Sequence, residues 1–165
     1  MPVEKPLAKF FPGFFLDAID ESSHYRSGTL PHRITLFPPL QQKYEPSFSD
    51  ELRASVHPLA PFEVEVGGTT LFGDTVEPQL VRLIEPSQQL QLLHTTIVRV
   101  LGHLIHDEQY RQPYRPHISV TAEDDIRRGT KIHIGGFSVI EKVRGQSWTV
   151  VDKIRLKGDD NEITS

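Results

Sequence analysis

The chain has 165 residues, 37% of them hydrophobic and 24% charged, and a formal charge of −4 from 18 basic and 22 acidic side chains. That length suits one domain, residues 1–165, with a real core. The acidic balance argues against a protein that grips long nucleic acid through many phosphates. The absence of cysteine excludes disulfides, thiolate nucleophiles and thiolate metal sites together.

Thirteen prolines and eleven glycines predict many turns and no long helical bundle. Phe10 to Leu16 is apolar, but it is short and broken by Pro12-Gly13, so it does not read as a signal peptide. No apolar run approaches the ~20 residues of a membrane helix. A cytoplasmic monomer without membrane contact is therefore expected.

In chain order, Gly13 to Ile19 reads as a buried first strand, followed by a polar loop to Thr29. His32 to Phe37 is a second strand, stopped by Pro38-Pro39. Ser47 to Leu52 opens a helix, with apolar positions at Leu52, Val56 and Leu59. Phe62 to Val66 alternates strictly, and Gly67-Gly68 makes a turn or bulge before Thr69 to Phe72. Gln79 to Ile84 is a further strand.

Ser87 then caps a helix whose apolar residues at Leu90, Leu93, Ile97, Val100, Leu101 and Leu104 recur at spacings of three and four. Strands are predicted at Lys131 to Ile134, Gly136 to Glu141, Trp148 to Val151 and Lys153 to Leu156. Residues 157–165 read as a frayed polar tail.

The chemistry concentrates in Arg115-Pro116-His117-Ile118-Ser119-Val120-Thr121. On a half-buried strand Ile118 and Val120 face the core, while His117, Ser119 and Thr121 share the other face. An imidazole beside hydroxyls suits a phosphate. A second version, Pro31-His32-Arg33-Ile34-Thr35-Leu36, lies 85 positions upstream, and each histidine follows a proline.

These two motifs resemble those of the 2H phosphoesterase superfamily, which includes 2′-5′ RNA ligase-like proteins and cyclic phosphodiesterases and takes its name from paired His-x-Ser/Thr-x strands. Phe62 to Gly68, the helix after Ser87 and the strand ending Asp152-Lys153-Ile154-Arg155-Leu156 extend the likeness from about Phe14 to Leu156. The resemblance implies an α+β, two-lobed duplicated domain. Each lobe would carry an antiparallel sheet and a packed helix, and the motif strands would face a central cleft. It also implies metal-independent hydrolysis of 2′,3′-cyclic phosphate ends of RNA or small cyclic nucleotides, with 2′-5′ ligation as the possible reverse. The implied partner is a small cyclic nucleotide or an RNA end, with no long duplex, no cofactor and no metal.

By that resemblance His32, Thr35, His117 and Ser119 are the catalytic candidates. Two imidazoles would exchange protons on opposite sides of phosphorus, giving a bell-shaped pH profile, and the hydroxyls would donate to the non-bridging oxygens. Arg33, Phe37, Tyr114 and Arg115 are candidates for holding the substrate, the aromatics by stacking, with Tyr25 a further aromatic near the motifs. The plainer alternative packs Phe37 in the core, has Tyr114 plug a loop and leaves Arg115 a solvated flank.

The first motif departs from the pattern, because two residues separate His32 from Thr35 where the family has one. A β-bulge at His32-Arg33 would return His32 to the site face. In a regular strand Arg33 would stand there instead, and an arginine can clamp a phosphate but cannot act as a base at neutral pH. The corresponding alternative function is a non-catalytic nucleotide- or RNA-binding module.

A metal-dependent hydrolase using His103 and His106 is a weaker competitor, since histidines at a helix end more often meet its terminal carbonyls. Glu123-Asp124-Asp125 reads as a solvated turn. Gly67-Gly68 and Gly135-Gly136 lack the Gly-Lys-Ser/Thr of a phosphate-cradling loop.

Overall fold

A computed structural model describes residues 8–17, 19, 24–25, 30–72, 79–105, 114–119 and 126–158. The strands are β1 (Ala8–Phe15), β2 (His24–Tyr25), β3 (Arg33–Thr35), β4 (Phe62–Phe72), β5 (Gln79–Ile84), β6 (His117–Ser119), β7 (Lys131–Ile134), β8 (Gly136–Val143) and β9 (Trp148–Arg155). Among the described residues two helices, α1 (Pro46–Val56) and α2 (Gln88–Leu101), accompany the strands, with a short 3-10 turn at Gly102–Leu104.

The strands form one sheet in the order β2-β9-β8-β1-β3-β6-β5-β4-β7, and every pairing is antiparallel. The motif strands β3 and β6 are direct neighbours, joined at Ile34↔Ile118. Outward from that pair the order runs β1, β8, β9, β2 on one side and β5, β4, β7 on the other.

Strand alternation divides the core between the two faces of this sheet. Phe10, Ile34, Ile118, Val139 and Ile154 join the buried faces of both helices in the larger cluster. From α1 come Phe48, Leu52 and Val56, and from α2 come Leu90, Leu93, Ile97, Val100 and Leu101. The other face carries a smaller cluster, Phe11, Phe15, Ile19, Ile140, Trp148 and Val150, with Tyr25 and Leu30 packed against it.

The start of α2 follows from its sequence: the Ser87 hydroxyl accepts from the Leu90 N–H at 3.1 Å, which satisfies one of the free donors of the first turn. Helix α1 begins one residue before the expected serine, at Pro46, whose ring pre-sets the first helical turn.

Several expected boundaries shift. The first strand starts at Ala8 and contains Pro12. The two expected strands at Phe62 to Phe72 are one strand, whose register shifts between Val66 and Thr69. Those at Trp148 to Leu156 are also one strand, with an irregularity opposite Val139/Ile140 that leaves Val151 unpaired. Residues 157–158 are not frayed, because Gly158 N–H reaches the carbonyls of His57 (3.1 Å) and Leu59 (2.9 Å) beyond α1. Residues 159–165 lie outside the described residues.

Helix α1 is tied to β9 through Asp152, which is 5% exposed. Its carboxylate accepts from the Tyr44 hydroxyl at 2.6 Å, from the Ser49 hydroxyl at 2.6 Å and from the Arg53 guanidinium. Burial pushes the Tyr44 hydroxyl well above its ordinary pKa, and the bond to Asp152 adds to the shift. Removing the carboxylate strands three donors at once. Asp152→Ala is expected to cost about 3 kcal/mol, the lower part of the range for breaking a buried pair, because Arg53 is partly solvated. Urea unfolding of the variant and parent would measure it.

Candidate active site

The register of β3 decides which side chains meet. Gly13↔Thr35, Phe14↔Ile34 and Phe15↔Arg33 pair one for one, and the Leu16 N–H continues to the His32 carbonyl at 2.9 Å. The strand therefore carries no bulge at His32-Arg33. Ile34 is fully buried on the helix side, so alternation places Arg33 and Thr35 on the opposite face and His32 in step with Ile34.

The same holds across the sheet. With Ile34 opposite Ile118 in an antiparallel pair, Thr35 stands opposite His117 and Arg33 opposite Ser119. Directly opposed Cβ atoms lie about 4.5–5.5 Å apart. The result is a compact quartet of guanidinium, imidazole and two hydroxyls on the face that also holds the smaller apolar cluster. The quartet contains no carboxylate.

Local contacts fix the imidazole. His117 Nδ1–H donates to the Arg115 carbonyl at 2.8 Å, since a carbonyl can only accept. In the neutral ring this assigns the proton to Nδ1 and leaves the Nε2 lone pair available for proton exchange. The Phe72 ring meets the imidazole edge-on, with centroids 4.5 Å apart. Arg115 lays its guanidinium over the Phe72 ring at 4.9 Å.

Arg33 is held differently. Its guanidinium lies over the Phe11 ring at 5.6 Å, and Nη1 reaches the Pro31 carbonyl only at 3.5 Å. Its Nε–H is buried and has no hydrogen-bond partner among the described residues. Burial lowers the Arg33 pKa, although a guanidinium stays charged in proteins. An unpartnered buried donor costs about 1–3 kcal/mol, so an anion toward which the Arg33 side chain shifted to donate would recover that cost on binding.

The expected aromatic contacts need correcting. Phe37 is 4% exposed within the larger core and presents no ring face to a base. Tyr114 stacks on His94 of α2, with centroids 3.9 Å apart and planes 4° from parallel. Its hydroxyl donates to the Thr35 carbonyl at 2.9 Å. Tyr114 thus ties the approach to β6, the motif strand β3 and helix α2 together, a positioning role rather than a stacking platform. Burial raises its hydroxyl pKa and lowers that of His94. Tyr25 pairs with Trp148 in β2–β9 and packs on the smaller cluster.

Nothing local in the sequence singles out Phe72. Alternation along Thr70 and Phe72, once β4 and β5 are paired, is the signal that puts it on the face of His117. Among the described residues no group of three or more His, Asp or Glu side chains could hold a metal. His106, Thr121 and residues 123–125 lie outside the described residues. No helix among the described residues is long and apolar enough to cross a membrane.

The strand order and the paired motifs define an antiparallel-sheet protein with the two motif strands side by side, and comparison gives its class. The sequence model of the 2′-5′ RNA ligase superfamily matches residues 14–143, and the chain belongs to this superfamily, the 2H phosphoesterases. Among solved structures it is similar to TT0787 of Thermus thermophilus, with a TM-score of 0.63 and 19% identity over 91% of this chain and 98% of that one. It is also similar to E. coli LigT complexed with 3′-AMP, with a TM-score of 0.57 and 12% identity over 90% of this chain and 97% of that one. At these identities the likeness establishes the fold. No curated protein matches by sequence.

Proposed function

We propose that the quartet Arg33, Thr35, His117 and Ser119 binds the phosphate of a 2′,3′-cyclic nucleotide or RNA end and opens it by hydrolysis without a metal. The observation that carries this reading is the buried Nε–H of Arg33, unpartnered among the described residues, on a strand that sets Arg33 opposite Ser119 and Thr35 opposite His117. The central place of the β3–β6 pair, with further strands on both sides of it, supports a fold of two halves meeting there, with the substrate held over the seam.

In this reading water attacks phosphorus and His117 Nε2 takes its proton, while one of the two ribose P–O bonds breaks. Arg33, Thr35 and Ser119 stabilise the charge that builds on the non-bridging oxygens. The departing ribose oxygen takes its proton from solvent, because an arginine cannot supply one at neutral pH. If a 5′ hydroxyl took the place of the attacking water and the P–O3′ bond were the one to break, the same ring opening would leave a 2′-5′ phosphodiester, the ligation reaction.

The placement of Arg33 where a second proton-transfer group would stand also favours a second reading, a nucleotide-binding module without turnover. Incubation with 2′,3′-cyclic nucleotides in EDTA separates the two. Turnover that survives EDTA is the expected result, tight binding without turnover selects the module, and turnover lost in EDTA contradicts the metal-independent mechanism.

A further inference from the structure

We infer that the cavity at the β5–β6 ends, lined by Leu83, Glu85 and Arg115, is a subsite for the nucleobase, and that it favours a base with two adjacent N–H donors, as guanine has. The inference rests on reading the β3–β6 seam as a nucleotide phosphate site. The cavity has a volume of about 310 Å³ and is lined by Gly67, Gly68, Leu83, Glu85, Gln91 and Arg115 among others. That is the low end for small-molecule pockets, which suits one planar ring system rather than a whole oligonucleotide.

Its position fits. Leu83 pairs with His117 across β5–β6, so the cavity begins one strand spacing, about 4.8 Å, from the strand of the catalytic imidazole. Leu83 and two further lining residues, Pro86 and Pro116, supply apolar walls. At the rim the Arg115 guanidinium, already placed over Phe72, is a plane on which a base can stack.

The bulge in β4 builds the polar end. Its register shifts between Val66 and Thr69, which puts Gly67 and Gly68 at the cavity. A Cβ on Gly67 would stand 2.9 Å from Glu85 Oε1 and 3.2 Å from the Leu83 carbonyl oxygen. A larger residue at position 67 would push the end of the flexible Glu85 side chain aside and crowd the Leu83 carbonyl, whereas glycine leaves the carboxylate where it lies.

An ionised carboxylate only accepts hydrogen bonds, and its two oxygens match two parallel N–H donors. Guanine offers such a pair from its ring N1–H and exocyclic amino group. Adenine and cytosine set a ring acceptor beside their amino donor, and uracil flanks its single N–H with two carbonyls. Each of these would turn a lone pair toward one carboxylate oxygen.

Calorimetric titration of the full chain with guanosine 3′-monophosphate and uridine 3′-monophosphate tests this. The guanosine nucleotide is expected to bind about 10- to 100-fold more tightly, the range for a bidentate base contact. Glu85→Gln should remove that difference. Gly68→Leu should weaken the guanosine nucleotide but not inorganic phosphate, since a Cβ at Gly68 meets nothing within 4 Å and only the added side chain fills the cavity. The melting temperature of each variant controls for folding.

Equal affinities that both fall in Arg33→Ala would overturn the base subsite while the phosphate reading stands. Guanosine binding that needs Glu85 but ignores Arg33 would support the subsite and remove the phosphate reading. No binding of either nucleotide overturns the subsite.

Discussion

His117→Ala is expected to lower the turnover of a 2′,3′-cyclic nucleotide about 10²–10⁴-fold, the effect of losing the group that moves the proton. Substrate affinity should change far less, because Arg33, Thr35 and Ser119 still meet the phosphate. The split between kcat and KM is informative here. A loss confined to KM would make His117 a binding residue, and unchanged turnover would remove the proposed chemistry. Asn at the same position would restore a donor near Nδ1 without a titratable nitrogen, so it should be as slow as Ala.

The second large effect separates Arg33 from His32. Arg33→Ala is expected to reduce kcat/KM about 10²–10³-fold, comparable to removing a preorganised donor to a developing oxyanion. His32→Ala should stay close to the parent, since the unbroken β1–β3 register carries it in step with Ile34. Arg33→Lys should rescue only part, because an ammonium keeps the charge and loses the planar fork. A larger loss at His32 than at Arg33 would contradict the register argument.

Stability distinguishes function from scaffolding at the same residue. The Nε–H of Arg33 is buried without a partner among the described residues, so Arg33→Met removes an unsatisfied donor and is expected to leave the melting temperature unchanged or higher. A side chain that costs stability and gains it back only with an anion bound is the pattern of a site residue. If Arg33→Met unfolded the protein at markedly lower temperature, the arginine would be structural.

How much of this can be read in the amino acids depends on the range of the interaction. Helix α2 is legible because its cap and its apolar spacing are local, and the Ser87–Leu90 bond is their direct consequence. Strand β5 is bounded by its own composition and by Glu85-Pro86. The direct pairing of β3 with β6 is not legible, because it joins Ile34 to Ile118 across most of the chain. For the same reason the two-residue strand at His24–Tyr25, which exists only through β9, reads locally as loop.

Bulges show the limit most clearly. The spacing of the first motif invites a bulge at His32-Arg33, and the strand there is regular. Irregularities occur instead at Gly67-Gly68, where paired glycines announce one, and opposite Val139/Ile140, where no local residue does. Side-chain direction around the site is equally hidden. Phe37 and Tyr114 both adjoin motif strands, but one lies in the core and the other stacks on a helix histidine. Only the fold says which side of the sheet each one takes.

Phosphorus NMR of the parent protein with a 2′,3′-cyclic nucleotide in EDTA tests the central claim most directly. The account predicts that the cyclic phosphate resonance disappears into a 2′- or 3′-monoester signal, and that Arg33→Ala and His117→Ala each slow the conversion by the factors given above. A cyclic resonance that persists unchanged with the parent, at protein concentrations where the nucleotide is shown to be bound, would contradict it.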